Sequence, residues 1–167
     1  TCRAERIDDW IAGAVEEEAQ RLPGVVEISC VLGLGDLLVP FDPSRMRRAI
    51  INLMNNACEA MVGTGEDPSR FNTAHPRLEI SSFRKGTDVV IRVSDNGPGI
   101  SAENLAKIRE PLYTTKSFGT GLGLPAVEKI LEQHGGHLTV SSTVGKGSQF
   151  DIHLPIEGNG RDYSEAA

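Results

Sequence analysis

Residues 110–124 read EPLYTTKSFGTGLGL, and the ten that follow, PAVEKILEQH, carry apolar side chains at helical spacing. Leu124, Val127, Ile130 and Leu131 predict a helix from about Leu122 to His134, stopped by Gly135-Gly136. Just ahead, Gly119-Thr120-Gly121-Leu122-Gly123-Leu124 sets three glycines at alternate positions on the helix start. The first turn of a helix has main-chain N–H groups without intrahelical partners, and the macrodipole adds positive character. Such a start suits a phosphate chain. Residues 110–116 have no clean period. Apolar Leu112 and Tyr113, the hydroxyls of Thr114 and Thr115, and the Lys116 cation fit a lid that can approach a terminal phosphate. The plainer reading is a loop with a solvated lysine.

Two rival phosphate-binding readings fail. Gly121-x-Gly123-x-x-Ala126 formally fits a dinucleotide fingerprint, but no strand leads into it and no acidic residue stands about twenty positions on, near Thr139 to Ser142. A P-loop fails because Gly145-Lys146 is followed by Gly147 instead of Ser or Thr.

Working outward, Leu138 to Val144 and Ser148 to Leu154 read as a hairpin through Gly145-Lys146-Gly147. Upstream, Leu78 to Phe83 and Val89 to Ser94 read as two strands around Lys85-Gly86-Thr87, and Ser101 caps a short helix reaching about Ile108. Asp42-Pro43 is a helix start with Asp42 as N-cap. Met46, Ile50, Leu53, Ala57 and Met61 then mark one face as far as Gly63. Residues 63–76 are turn formers. Val25 to Val31 and Leu37 to Phe41 read as short strands, and residues 4–21 as a first helix stopped by Pro23-Gly24. The expected architecture is α+β, a two-layer α/β sandwich whose mixed, mainly antiparallel sheet is covered on one face by about three helices. Residues 1–157 form the domain, and 158–167 read as a polar, mobile tail.

The chain has 167 residues, a formal net charge of −6, 18 glycines and 39% hydrophobic residues. A chain of this size buries roughly 70% of its unfolded surface, enough for a core without metal or disulfide staples. The acidic balance excludes a nucleic-acid module, whose footprint is a basic patch. No apolar run approaches the ~18 residues of a membrane span, so no membrane contact is expected. Three cysteines, Cys2, Cys30 and Cys58, with no CxxC spacing, favour a reduced, cytoplasmic setting. The chain starts without Met, as a piece cut from something larger does.

Two further groups could do chemistry. Asn52 and Asn56 are one turn apart, at the border of an apolar stripe. Their carboxamide oxygens suit a Mg²⁺ ion already carrying phosphate charge, although a solvated face with two asparagines fits as well. Asp95-Asn96-Gly97-Pro98-Gly99 follows the strand IRVS. The carboxylate can accept from an exocyclic amino group, and Gly97 and Gly99 leave no side chain where a flat base would lie. The same residues are also ideal turn formers.

The order of these segments resembles the ATP-binding domain of sensor histidine kinases, closest to the nitrogen-regulation sensor type. This is the Bergerat fold shared with type II topoisomerases, heat-shock chaperone ATPases and mismatch-repair ATPases. Asn52-Leu53-Met54-Asn55-Asn56-Ala57 is similar to the N box, Asp95 to Gly99 to the first glycine box, and Glu110 to Lys116 to the lid. Gly119 to Leu124 is similar to the second glycine box, and Gly145 to Phe150 to the last.

The resemblance implies ATP and Mg²⁺ as cofactors. Asn56 would be the metal ligand, with Asn52 its catalytic partner one turn earlier. Asp95 would bind the adenine amino group, supported by Ser148, with Gly97 and Gly99 making room. The lid residues Tyr113, Thr114, Thr115 and Lys116 and the main chain of Gly119, Thr120, Gly121, Leu122, Gly123 and Leu124 would hold the phosphates, Lys116 assisting catalysis. Leu112-Tyr113 stands where Phe-Phe is common, and Glu59 where many kinases carry Lys or Arg.

ATP-hydrolysing relatives place a Glu at position 52 as general base. Asn52 cannot accept a proton at neutral pH, so the site is expected to keep the γ-phosphoryl for a better nucleophile. That nucleophile, a histidine on a dimerisation domain, is not among His75, His134, His137 and His153. The expected partners are that domain and, through the full-length protein, a response regulator. The isolated domain is expected to be monomeric. The alternatives are a nucleotide-binding module without transfer activity and an ATP-driven clamp, against which Asn52 counts.

Overall fold

The computed structural model describes residues 2–63, 73–106 and 123–157. The chain runs β1 (Arg3–Arg6), α1 (Ile7–Ala19), β2 (Glu27–Leu32), β3 (Leu38–Phe41), α2 (Pro43–Val62), β4 (Arg77–Lys85), β5 (Asp88–Asp95), α3 (Ala102–Leu105), α4 (Gly123–Gln133), β6 (His137–Thr143) and β7 (Gly147–Pro155). Five strands form one sheet in the order β2-β4-β5-β7-β6, and β1 pairs with β3 in a separate ribbon. The architecture is the expected α+β sandwich with a mixed, mainly antiparallel sheet.

Period-two alternation splits the sheet's residues between two faces. One face, with Leu78, Ile80, Ile91, Val93, Ile152 and Leu154, joins Ile7 and Ile11 of α1, Ile50, Leu53 and Met61 of α2, and Val127 and Leu131 of α4 in one buried core. On the other face Arg92 forms a two-pronged pair with Asp151 at 2.9 and 3.0 Å and lies over the Phe83 ring. His137 and His153 stack with centroids 4.3 Å apart, and His153 bonds Thr139 at 2.9 Å.

Helices α2 and α3 start on side-chain caps. Asp42 accepts from the N–H groups of Ser44 and Arg45 at 3.0 and 3.2 Å, with Pro43 in the first turn. Ser101 caps α3 through Asn104 N–H at 3.2 Å. Gly63, at φ 69°, ends α2. His134 is buried at the end of α4. Its Nδ1–H donates to the Ile130 carbonyl at 2.7 Å, and Nε2 accepts the Asp42 N–H at 3.0 Å. A carbonyl cannot donate, so this geometry fixes the neutral Nδ1–H tautomer.

One expectation needs correction. The first helix begins at Ile7, not residue 4. Arg3–Arg6 is a strand antiparallel to Leu38–Phe41, with Arg3 opposite Phe41 and Arg6 opposite Leu38. The apolar helical stripe starts only at Ile7, and the edge of β3 offers Arg3–Arg6 the main-chain partners a polar helical turn would lack. The core then holds α1 in place. Trp10 meets Phe41 edge-on at 4.8 Å, and the Asp8 carboxylate accepts from Ser82 Oγ at 2.6 Å and Leu34 N–H at 2.7 Å. Within the mixed sheet β2 pairs with β4 in parallel, Glu27 opposite Arg77. The connection between them contains α2, as a parallel crossover requires. Among the described residues no helix is long and apolar enough to cross a membrane.

Candidate functional site

Asp95 ends β5 on the helix-facing side of the sheet and is buried. Its carboxylate accepts the Gly97 N–H at 2.9 Å and the Ser148 N–H. Burial pushes its pKa from an ordinary 3.8 up to about 6, against the opposing pull of those two N–H groups. At neutral pH it is therefore a charged, poorly solvated acceptor, suited to an amino group that brings a donor.

The chain around Asp95 is pinned at three places. Asn96 Oδ1 accepts the Arg77 N–H at 2.7 Å, and Asn96 Nδ2 donates to the His75 carbonyl at 2.9 Å. Gly145 N–H donates to the Pro98 carbonyl at 2.7 Å, and Ile100 N–H donates to Ser142 Oγ at 2.7 Å. The glycines permit close approach. A Cβ on Gly97 would stand 2.9 Å from Asp95 Oδ1 and 3.0 Å from Met61 Cγ, so this glycine lets the loop close on both the carboxylate and α2. Gly99 has φ +79°, and a Cβ there would overlap the Thr143 carbonyl, so its missing side chain makes room for the β6–β7 turn.

Helix α2 supplies the other half of the site. Asn52 and Asn56 are half-buried beside the buried Leu53 and Ala57, as the border of the apolar stripe predicts. Cys58, two positions on, is buried, and its thiol is pushed up to about 11 by that burial, with the charges of Asp95, Glu59 and Glu18 adding to it. The charge of Asp95 thus bears on the C-terminal half of α2, and Met61 is in position to touch Gly97. Among the described residues no group of three or more His, Cys, Asp or Glu could hold a metal ion. The neutral Asn56 carboxamide fits only an ion whose charge is met elsewhere, as by phosphate oxygens.

Leu124 stands in the first turn of α4 with its side chain in the core. The structure brings Asp95, Gly97, Gly99 and Ser148 together around the end of β5 and puts Asn52 and Asn56 on the helix packed beside them. The expected lid and phosphate residues Tyr113, Thr114, Thr115, Lys116, Gly119, Thr120, Gly121 and Leu122 lie outside the described residues, as does the expected tail 158–167. A cavity of about 540 Å³ also reaches Asp95, and it is lined by Glu27, Ser29, Glu79, Ser94 and Lys146, with Glu79 and Ser94 paired on the face away from the helices.

The sequence alone gives Ser142 no role, and it marks Asn96 only as part of the Asp95–Gly99 segment and Met61 only as part of the apolar stripe. The hairpin register, which sets Ser142 opposite Ser148, was the signal that could have found the first.

The profile of the histidine kinase-, DNA gyrase B- and HSP90-like ATPase family matches residues 41–158, and the chain belongs to that family. Sensor histidine kinase ZraS of Escherichia coli (strain K12) is 41% identical over 115 residues, 69% of this chain and 22% of the relative. Nitrogen regulation protein NtrY of Azorhizobium caulinodans is 34% identical over 128 residues, 76% of this chain and 16% of the relative. The chain thus spans about a quarter or less of the length of the curated relatives it matches. Among solved structures, the nucleotide-free catalytic domain of histidine kinase ThkA superposes with a TM-score of 0.75 and 27% identity, covering 94% of this chain and 97% of that one. ThkA in complex with response regulator protein TrrA shows the same fold at a TM-score of 0.75 and 24% identity, covering 96% of this chain and 43% of that one. The domain is thus an ATP-binding domain of the sensor-kinase type.

Proposed function

We propose that this domain binds Mg-ATP and, in the full-length protein, donates the γ-phosphoryl group to a histidine on a dimerisation domain. The observation that carries this reading is the buried Asp95 carboxylate, held by two main-chain N–H groups beside glycines that let the loop close on it. Such an acceptor selects an adenine amino group. Asn56 would hold Mg²⁺ at the phosphates, with Asn52 its partner one turn earlier, and the bound ion would supply charge neutralisation there. The main chain of Gly119 to Gly123 and the lid cation Lys116 would hold the phosphate chain.

The neutral Asn52 supports transfer over hydrolysis, because a carboxamide cannot take a proton from water at neutral pH. In the transfer, an imidazole nitrogen forms a bond to the γ-phosphorus while the bond to the β–γ bridging oxygen breaks. ADP leaves with that electron pair, and the imidazole N–H proton passes to a base. Catalysis is mostly positioning and charge neutralisation. A response regulator would then take the phosphoryl group. The setting is cytoplasmic and the isolated domain monomeric.

The test is incubation with γ-labelled ATP and a histidine-bearing dimerisation domain supplied in trans. Acid-labile label on that domain, lost with Asp95→Asn and Asn56→Asp, is expected. Binding without label would reduce the chain to a nucleotide-sensing module, and steady phosphate release would make it a clamp ATPase.

A further inference from the structure

The helix-facing side of the sheet carries one polar row near the top. The registers of β4, β5, β7 and β6 align Leu78, Asp95, Ser148 and Ser142 across it. The next row on that side, Ile80, Val93, Phe150 and Val140, is wholly apolar. Ser142 Oγ is the junction of this polar row. Ile100 N–H donates to it at 2.7 Å, the Gly147 carbonyl oxygen lies 3.0 Å away, and Ser148 Oγ lies 2.8 Å away.

Counting protons decides the directions. A hydroxyl has one proton and two lone pairs. The Ile100 amide can only donate, so it takes one Ser142 lone pair. The Gly147 carbonyl can only accept, so it takes the Ser142 proton. The contact between the hydroxyls then has one direction left, with Ser148 donating to the second lone pair of Ser142. Ser148 Oγ, its proton committed, meets any other group as an acceptor. Asp95 beside it is an acceptor too, with its carboxylate already bonded to the N–H groups of Gly97 and Ser148.

We infer that Ser142 is a positioning residue for nucleobase specificity: by holding the Ser148 proton it leaves the purine 6-substituent facing acceptors only, which admits a 6-amino group and rejects a 6-oxo group. The inference rests on the purine-binding reading of Asp95 given above. A 6-oxo purine presents an oxygen where adenine presents an amino group, so it needs a donor. A Ser148 hydroxyl free to rotate would provide one, directly or through water. Ser142 also anchors Ile100, but a loosened 96–100 loop weakens both kinds of nucleotide together and leaves their ratio unchanged. The ratio therefore separates proton direction from simple support.

The test is calorimetric titration of the wild type, Ser142→Ala and Ser142→Thr with Mg-ATP and with Mg-inosine triphosphate. The wild type is expected to prefer ATP. Ser142→Ala is expected to lower the ATP-to-inosine-triphosphate affinity ratio about fivefold, one hydrogen bond's worth, while Ser142→Thr, which keeps the hydroxyl, restores it. An unchanged ratio in a folded Ser142→Ala protein overturns the inference, as does a wild type that binds both nucleotides equally. If Ser142→Ala does not fold, the ratio is read on Ser142→Cys, where the same drop supports the inference and its absence overturns it. A wild type that binds neither nucleotide removes the Asp95 reading together with this one. A wild type that prefers ATP by a ratio blind to Ser142 removes this one alone.

Discussion

Gly147 packs so closely on the end of β5 that a Cβ at its position would overlap the Asp95 carbonyl oxygen. The first and last glycine clusters of the sequence, some fifty positions apart, thus meet at one place. Their contact fixes the main chain that aims the Asp95 carboxylate.

That contact separates two neighbouring glycines. Gly147 has φ +131° and no room, whereas Gly145 has φ +83° and open space around it. Gly145→Ala should therefore cost about 1 kcal/mol, the conformational penalty alone, and Gly147→Ala about 3 kcal/mol or more, since β5 and β7 must part. Urea unfolding of the two variants measures the difference. Equal losses would mean that the close approach to Asp95 carries no energy.

Asp95 makes stability and binding depend on pH in opposite directions. Its folded pKa of about 6 lies above the ordinary 3.8, so the folded chain takes up a proton that the unfolded chain does not between those values. Its contribution to stability is fully present below about pH 4 and is lost as pH rises through 6. Asp95→Asn should thus raise the stability of the nucleotide-free domain at pH 7.5 by about 1–2 kcal/mol and flatten this part of its pH profile. The same protonation turns the carboxylate into a poor acceptor, so ATP affinity should fall below pH 6 in the wild type. Thermal melts and titrations at pH 5, 6 and 7.5 read both effects.

Cys30 and Cys58 should react differently. Cys30 is exposed, while Cys58 is buried, with its thiol held up to about 11 by burial and the charge of Asp95. A maleimide at pH 7.5 should modify Cys30 in the native protein and reach Cys58 only on unfolding. Mass spectrometry of the labelled peptides checks the order, and fast native labelling of Cys58 would show that α2 does not pack against the sheet as described.

His134 joins the end of α4 to the start of α2 through the Asp42 N–H. His134→Phe fills similar space but leaves that buried donor without an acceptor, and should cost about 2 kcal/mol. A loss within 0.5 kcal/mol in urea unfolding would mean the bond is dispensable.

Much of this was legible in the sequence, and what was not has physical causes. Asp42-Pro43, the apolar stripe from Met46 to Met61 and the glycine turns fixed local structure within a residue or two. They act through neighbours in the chain. The β1 strand escaped because its partner is Leu38–Phe41, and nothing within Arg3–Arg6 favours a strand by itself. The parallel pairing of β2 with β4 was equally hidden, being set by the α2 crossover between them. At the site, Asp95 and the two asparagines could be picked by chemistry. Gly99 reads as space for a base in sequence, and in the fold its missing Cβ also admits the Thr143 carbonyl, because a glycine records that something approaches but not what. Ser142 lay unnoticed because its role arises from three contacts that only folding assembles.

The most direct test of the purine-on-Asp95 account is a crystal structure of the domain soaked with Mg²⁺ and a non-hydrolysable ATP analogue. The account predicts the adenine amino group within hydrogen-bonding distance of the Asp95 carboxylate, on the helix-facing side of the sheet, with the metal at Asn56. A purine seated in the cavity beside Ser94 and Glu79, or anywhere out of reach of Asp95, would contradict it.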